Sequence, residues 1–92
     1  MYVMVTATYP SHKRREVRAV FDRLGEPTQS FLKRLHVLGR ADLECGTKVF
    51  TIYDIEASKE HEGFVAVLQR MREYSNIEGF NYSADIVGIP LL

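Results

Sequence analysis

The ten residues Gly46-Thr47-Lys48-Val49-Phe50-Thr51-Ile52-Tyr53-Asp54-Ile55 constrain this chain more than any other stretch. β-Branched and aromatic residues fill the run and a glycine opens it, which is the composition of a strand. Alternation places Phe50 and Ile52 on one face and Val49, Thr51, Tyr53 and Ile55 on the other. Both faces are at least half apolar, so the strand belongs inside a sheet with something covering each side.

The remaining segments supply the rest of such a sheet. Tyr2 to Tyr9 alternates, with Val3, Val5 and Ala7 on one face and Met4, Thr6 and Thr8 on the other; Pro10 then ends the ladder. Ser11 is a predicted N-cap for a helix running to Leu24, with an apolar stripe of Val17, Val20, Phe21 and Leu24 and a stop at Gly25. Residues 32–41 read as an edge-like strand, with Leu35 and Val37 on one side and Arg34, His36, Leu38 and Arg40 on the other. Residues 41–46 then turn a hairpin into the 46–55 strand. Ser58 is a predicted N-cap for a second helix to about Tyr74, whose face is Phe64, Val67, Leu68, Met71 and Tyr74. The last strand, 80–88, carries Phe80, Tyr82, Ala84 and Ile86 opposite Asn81, Ser83 and Asp85. The apolar end Pro90-Leu91-Leu92 has to pack somewhere or fray.

This β-α-β-β-α-β order is the ferredoxin-like arrangement: an α+β fold, one domain over 1–92, with a four-stranded antiparallel sheet and both helices on one face. Strands 2–9 and 46–55 are the inner pair. The expected helix-facing layer includes Val3, Val5, Ala7, Leu35, Val37, Phe50, Ile52, Phe80, Tyr82, Ala84 and Ile86. The expected open face carries Met4, Thr6, Thr8, Arg34, His36, Leu38, Arg40, Val49, Thr51, Tyr53, Asn81, Ser83 and Asp85.

That open face has an apolar centre and a polar margin, the anatomy of an interface. A chain of 92 residues buries only about 60–65% of its unfolded surface, so extra burial against a partner matters. Like faces meet around a two-fold axis. The expected homodimer interface is therefore Met4, Thr6, Leu38, Val49, Thr51 and Tyr53, and arginine at 49 or 51 is expected to abolish it. Solvated strand formers are the plainer alternative for the same residues.

Charge narrows the partners. Net charge is zero, but residues 1–48 carry nine Lys/Arg against five acids and residues 49–92 carry three against seven. A neutral total argues against a nucleic-acid binder. An RNA-recognition sheet also needs stacked aromatics on its open face, and Phe50 is expected to face the helices. No run reaches the ~20 apolar residues of a membrane span, no leader pattern is visible, and Cys45 is alone, so a reducing, cytoplasmic setting is expected.

The stretches Tyr2-Val3-Met4-Val5-Thr6-Ala7-Thr8-Tyr9-Pro10, Val49-Phe50-Thr51-Ile52-Tyr53-Asp54-Ile55 and Ile77-Glu78-Gly79-Phe80-Asn81-Tyr82 resemble an uncharacterised branch of the dimeric α/β-barrel superfamily. The likeness is one of pattern over nearly the full length. Members include antibiotic-biosynthesis-type monooxygenases, haem-degrading enzymes, muconolactone isomerases and stress-response proteins. The haem degraders use a tryptophan, which this chain lacks, and no catalytic motif of a member matches here residue by residue. The resemblance implies ferredoxin-like domains packed sheet to sheet and no particular activity.

Candidate chemistry is sparse. His36 and Tyr53, with Arg34, Arg40 and Asp85 nearby on the expected open face, are the candidates for proton transfer in a pocket shared with a partner subunit; interface hydrogen bonding is the competing role. Ser11, Lys13 and Arg14 could hold a small anion at a helix start, against a solvated basic face. The three histidines, His12, His36 and His61, are too scattered for a metal site, and no cofactor is expected. Cys45 has no base beside it and reads as an incidental thiol. The expected function is a homodimeric module binding a small apolar ligand. The alternatives are a cofactor-independent monooxygenase- or isomerase-like enzyme, working in the cavity between sheet and helices, and a regulatory anion-binding domain.

Overall fold

In the computed structural model, which describes residues 1–88, β1 (Tyr2–Tyr9), α1 (Arg14–Leu24), β2 (Leu32–Asp42), β3 (Gly46–Ile55), α2 (Glu60–Arg72) and β4 (Asn81–Val87) follow in that order. The four strands pair antiparallel in the order β2-β3-β1-β4. Both helices contribute to a single core on one side of the sheet, where Val17 of α1 and Ala66, Val67 and Met71 of α2 join Val3, Val5, Ala7, Tyr53 and Ile55. This α+β architecture is compatible with a ferredoxin-like fold. Residues Pro90-Leu91-Leu92 lie outside the described residues.

The helix starts differ from expectation. Ser11–Lys13 and Ala57–Lys59 each form a 3-10 turn, and the α-helices begin after them with Lys13 and Lys59 at the cap positions and no side-chain cap bond. Pro10 fixes an extended backbone immediately before the first turn, and its carbonyl accepts the Lys13 N–H at 2.9 Å, which tightens the chain before the helix can open. Ser58 bonds Glu56 instead of capping. The end of α1 is as expected: the Gly25 N–H closes on the Phe21 carbonyl at 3.1 Å with φ +59°.

The β2–β3 hairpin is closed by Asp42, whose Oδ1 accepts the N–H groups of Glu44 at 2.9 Å and Cys45 at 3.2 Å. Those two bonds hold the Asp42 carboxyl below its ordinary value of 3.8. A depressed carboxyl contributes turn stability above the unfolded value and loses it as pH falls through the folded one. The amide resonances of Glu44 and Cys45 are therefore expected to titrate together with a midpoint below 3.8, and Asp42→Ala to abolish that titration, read by amide NMR. Gly46, after this turn, has φ +94°, and a Cβ there would sit 2.7 Å from the Ser11 nitrogen and 2.8 Å from the Tyr9 carbonyl oxygen. Only glycine allows the hairpin to lie this close to the β1–α1 connection.

Register settles which side chains face the helices, and it overturns the expectation for β3. Residues directly opposite in an antiparallel pair share a face. Val3 pairs with Tyr53, Val5 with Thr51 and Ala7 with Val49, whereas Met4 pairs with Ile52 and Thr6 with Phe50. Val49, Thr51 and Tyr53 therefore face the helices, and Phe50 and Ile52 lie on the open face. Tyr53 and Ile55 are fully buried. The alternation was right and its phase reversed: two comparably apolar faces carry no phase of their own, and packing of Ile55 against Gly63 of α2 fixes it.

On β2, a register shift between Arg34 and His36 leaves Leu35 as an extra residue. Arg34 pairs with Tyr53 and so faces the helices, not the open side as strict alternation implied. His36, Leu38 and Arg40 keep the open face, opposite Ile52, Phe50 and Lys48, and Val37 keeps the helix side opposite Thr51. Leu35 itself is exposed at the bulge. On β4, Tyr82, Ala84 and Ile86 pair with Ala7, Val5 and Val3 as expected, but Tyr82 and Ile86 remain exposed on this edge strand.

Candidate functional site

A cleft of about 1090 Å³ lies between α1 and the helix-facing side of the sheet. Its floor is Val5, Ala7, Val49, Thr51 and Tyr53, and Val37 forms one margin. α1 closes the core through Val17, its one buried residue, while Val20, Phe21 and Leu24 stay half-buried. Arg34 rises from β2 beneath Phe21, with its guanidinium carbon 4.8 Å from the ring centroid. The arginine thus occupies ground that a small apolar side chain would leave for the helix to close on.

One end of the cleft is polar. Arg34 Nη1 donates to the Gly25 carbonyl at 3.4 Å, and Arg70 Nη2 donates to the same oxygen at 2.5 Å. Arg70 Nε also donates to the Tyr53 hydroxyl at 3.4 Å. Tyr74 lies beside them: its ring stacks on Phe80 at 4.7 Å and Phe80 stacks on Tyr9 at 6.1 Å, a run of aromatic rings along the wall. Burial pushes the Tyr74 hydroxyl up, Tyr53 and Tyr9 add to the shift, and Arg70 and Arg34 oppose it. Tyr74 is therefore a neutral hydroxyl near pH 7.

The candidates for proton transfer do not come together. His36 shares the open face with Arg40 and Asp85, while Tyr53 is buried on the other side of the sheet with Arg34. A His36–Tyr53 pair in one pocket is ruled out by the sheet between them. The expected interface set divides in the same way: Met4, Thr6 and Leu38 lie on the open face, and Val49, Thr51 and Tyr53 do not. Phe50, placed inward in arguing against RNA recognition, is on the open face and Tyr53 is not, so β3 still offers a single aromatic there and net charge remains zero.

At residues 11–15, Lys13 Nζ pairs with Glu16 at 3.3 Å, while Ser11 and Arg14 border the cleft. Burial and the neighbouring Asp42 push the Cys45 thiol up, so it stays protonated. Among the described residues no three His, Cys, Asp or Glu side chains gather as a metal-holding group, and no helix is long and apolar enough to cross a membrane.

Arg70 was not singled out from the sequence, although the signal was present. Val67, Arg70, Met71 and Tyr74 share one helical spacing, so an arginine falls within the buried stripe of α2. Comparison with models of known protein families, with curated proteins and with solved structures finds no match to this chain.

Proposed function

We propose that the chain is a small-molecule-binding protein that takes a largely apolar ligand in the cleft beneath α1 and works as a sheet-to-sheet homodimer. The cleft carries the reading. Its volume of about 1090 Å³ is just above the roughly 300–1,000 Å³ spanned by small-molecule sites, and its floor is largely apolar with a few convergent polar groups. The enzyme alternative is the weaker reading, because the histidine on the lining, His12, is exposed on the turn before α1. The two carboxylates on the lining are paired outside the aromatic end, Glu16 with Lys13 and Asp22 with Arg18.

Ligand binding is tested with 1-anilinonaphthalene, a neutral dye whose emission rises in apolar surroundings. The wild-type protein should bind it saturably. Val37→Trp should weaken that binding by about tenfold or more, since one methyl-sized mismatch in a pocket already costs ~1–3 kcal/mol. Val37 is 41% exposed at the cleft margin, so the variant should keep its fold, as read by circular dichroism. Dye binding that is absent, or indifferent to position 37, rejects the cleft as the site.

The dimer is supported by the open face as the register builds it. Met4, Leu38, Phe50 and Ile52 are neighbours at its centre. Leu38 is 60% exposed in the single chain. A two-fold axis midway between the two sheets and parallel to the strands would set Met4 on the partner's Ile52 and His36 opposite the partner's Asp85, with no like charges facing. That pairing is the assembly of a dimeric α/β-barrel.

A further inference from the structure

We infer that the ligand of this cleft is a small organic acid, an apolar or aromatic body bearing one anionic group, with Arg70 and Arg34 receiving the anion beside the Tyr53 and Tyr74 hydroxyls. This rests on the cleft being a ligand site and adds the chemical class of its occupant.

The chain as a whole is neutral, but the cleft lining holds five arginines against two carboxylates, Glu16 and Asp22. Arg14, Arg15 and Arg18 come from exposed positions of α1, where solvent screens them. Arg34 and Arg70 differ. The Arg34 side chain is only 12% exposed and Arg70 is half-buried, and both reach one neutral oxygen, the Gly25 carbonyl.

Two guanidiniums converging on a single carbonyl repel each other, and a neutral acceptor compensates little of that. Glu26 approaches Arg34 at 3.6 Å, but its side chain is 78% exposed and its attraction is correspondingly weak. Among the described residues Arg70 has no carboxylate partner. A guanidinium has five N–H donors, and the bonds to Tyr53 and Gly25 leave Arg70 with donors to spare. An anion placed between the two arginines would satisfy them both. Carboxylate and guanidinium geometries match as a fork.

The remaining surroundings select the body of the ligand. The stacked rings of Tyr9, Phe80 and Tyr74 and the Val5, Ala7 and Val49 floor offer apolar contact but little hydrogen bonding, so a heavily hydroxylated sugar acid would leave its hydroxyls unpaired. A flat or branched hydrocarbon with an acid at one end fits both parts.

The test compares two dyes that differ by one sulfonate, neutral 1-anilinonaphthalene and anionic 8-anilinonaphthalene-1-sulfonate. The wild-type protein should bind the anionic dye about ten- to a hundredfold more tightly, the range a charge-assisted hydrogen-bond pair supplies. Its affinity should fall with added salt, while that of the neutral dye should not. Arg70→Gln should bring the anionic dye down to the affinity of the neutral one and leave the neutral dye unchanged, and Arg34→Gln should move it the same way. Should either variant lose its near-ultraviolet circular dichroism, the wild-type dye ratio and its salt dependence decide the matter alone. Equal affinities for the two dyes in the wild type overturn the acid assignment while leaving the cleft as a site. Binding of neither dye removes the cleft itself.

Discussion

Ile52→Arg should convert a species of twice 10.6 kDa into one of 10.6 kDa, while Thr51→Arg, one residue away, leaves the dimer intact and abolishes dye binding in the cleft. The two side chains leave the same strand in opposite directions: Ile52 shares the open face with Met4 and His36, and Thr51 faces α1 beside Val5. A guanidinium at 52 would be buried between two sheets with no carboxylate directly opposite. An uncompensated buried charge costs about 3–5 kcal/mol, which weakens association at least a hundredfold. Phe50→Arg should behave like Ile52→Arg, and Val49→Arg like Thr51→Arg. The arginines expected from the sequence to break the dimer, at 49 and 51, should thus be the ones that spare it. Sedimentation at micromolar concentration reads the outcome. A dimer that survives Ile52→Arg removes the open face as the interface, and loss of the dimer with Thr51→Arg alone would mean that association runs through the helix side.

The order of elements could be read from the chain because hydrophobic period changes sharply along it. Tyr2–Tyr9 repeats at two, Val17–Leu24 at three and four, and Pro10, Gly25 and Gly46 mark the joins. The inner and outer strands followed from the ferredoxin-like order of the elements. What could not be read was phase. In β3 either face could have been the buried one, and placing Phe50 inward left out that a tyrosine can bury its ring while its hydroxyl accepts from Arg70. In β2 the bulge at Leu35 moved Arg34 across the sheet, and no glycine or proline announces it. The candidate site inherits both errors. Arg34 and Tyr53 appeared together on the list for the open face, and they do lie together, but in the cleft on the opposite side.

Gly63→Ala separates packing from propensity by the sign of its effect. Alanine is the better helix former by about 1 kcal/mol, so in an exposed helix the change would stabilise. Gly63 is buried in α2 against β3, where a Cβ would overlap Ile55 Cγ2 and sit 3.0 Å from its Cδ1 and Cγ1. Ile55 is 1% exposed, so it is enclosed by its neighbours. Overpacking of this kind costs about 1–3 kcal/mol, occasionally more, and a contact this short belongs at the upper end, so a net loss of about 2 kcal/mol is expected. For a domain of this size that lowers Tm by on the order of 10 °C. Ile55→Ala alone should cost about 2–5 kcal/mol through the cavity it leaves. The double variant should be less damaged than the two losses added, by about 1–2 kcal/mol, because the new methyl then enters the vacated space. Urea denaturation of the four proteins measures the cycle. Stabilisation by Gly63→Ala, or strict additivity with Ile55→Ala, would show that α2 does not rest on β3 at this point, and the facing of Tyr53 and Thr51 into the cleft would lose the contact that fixes it.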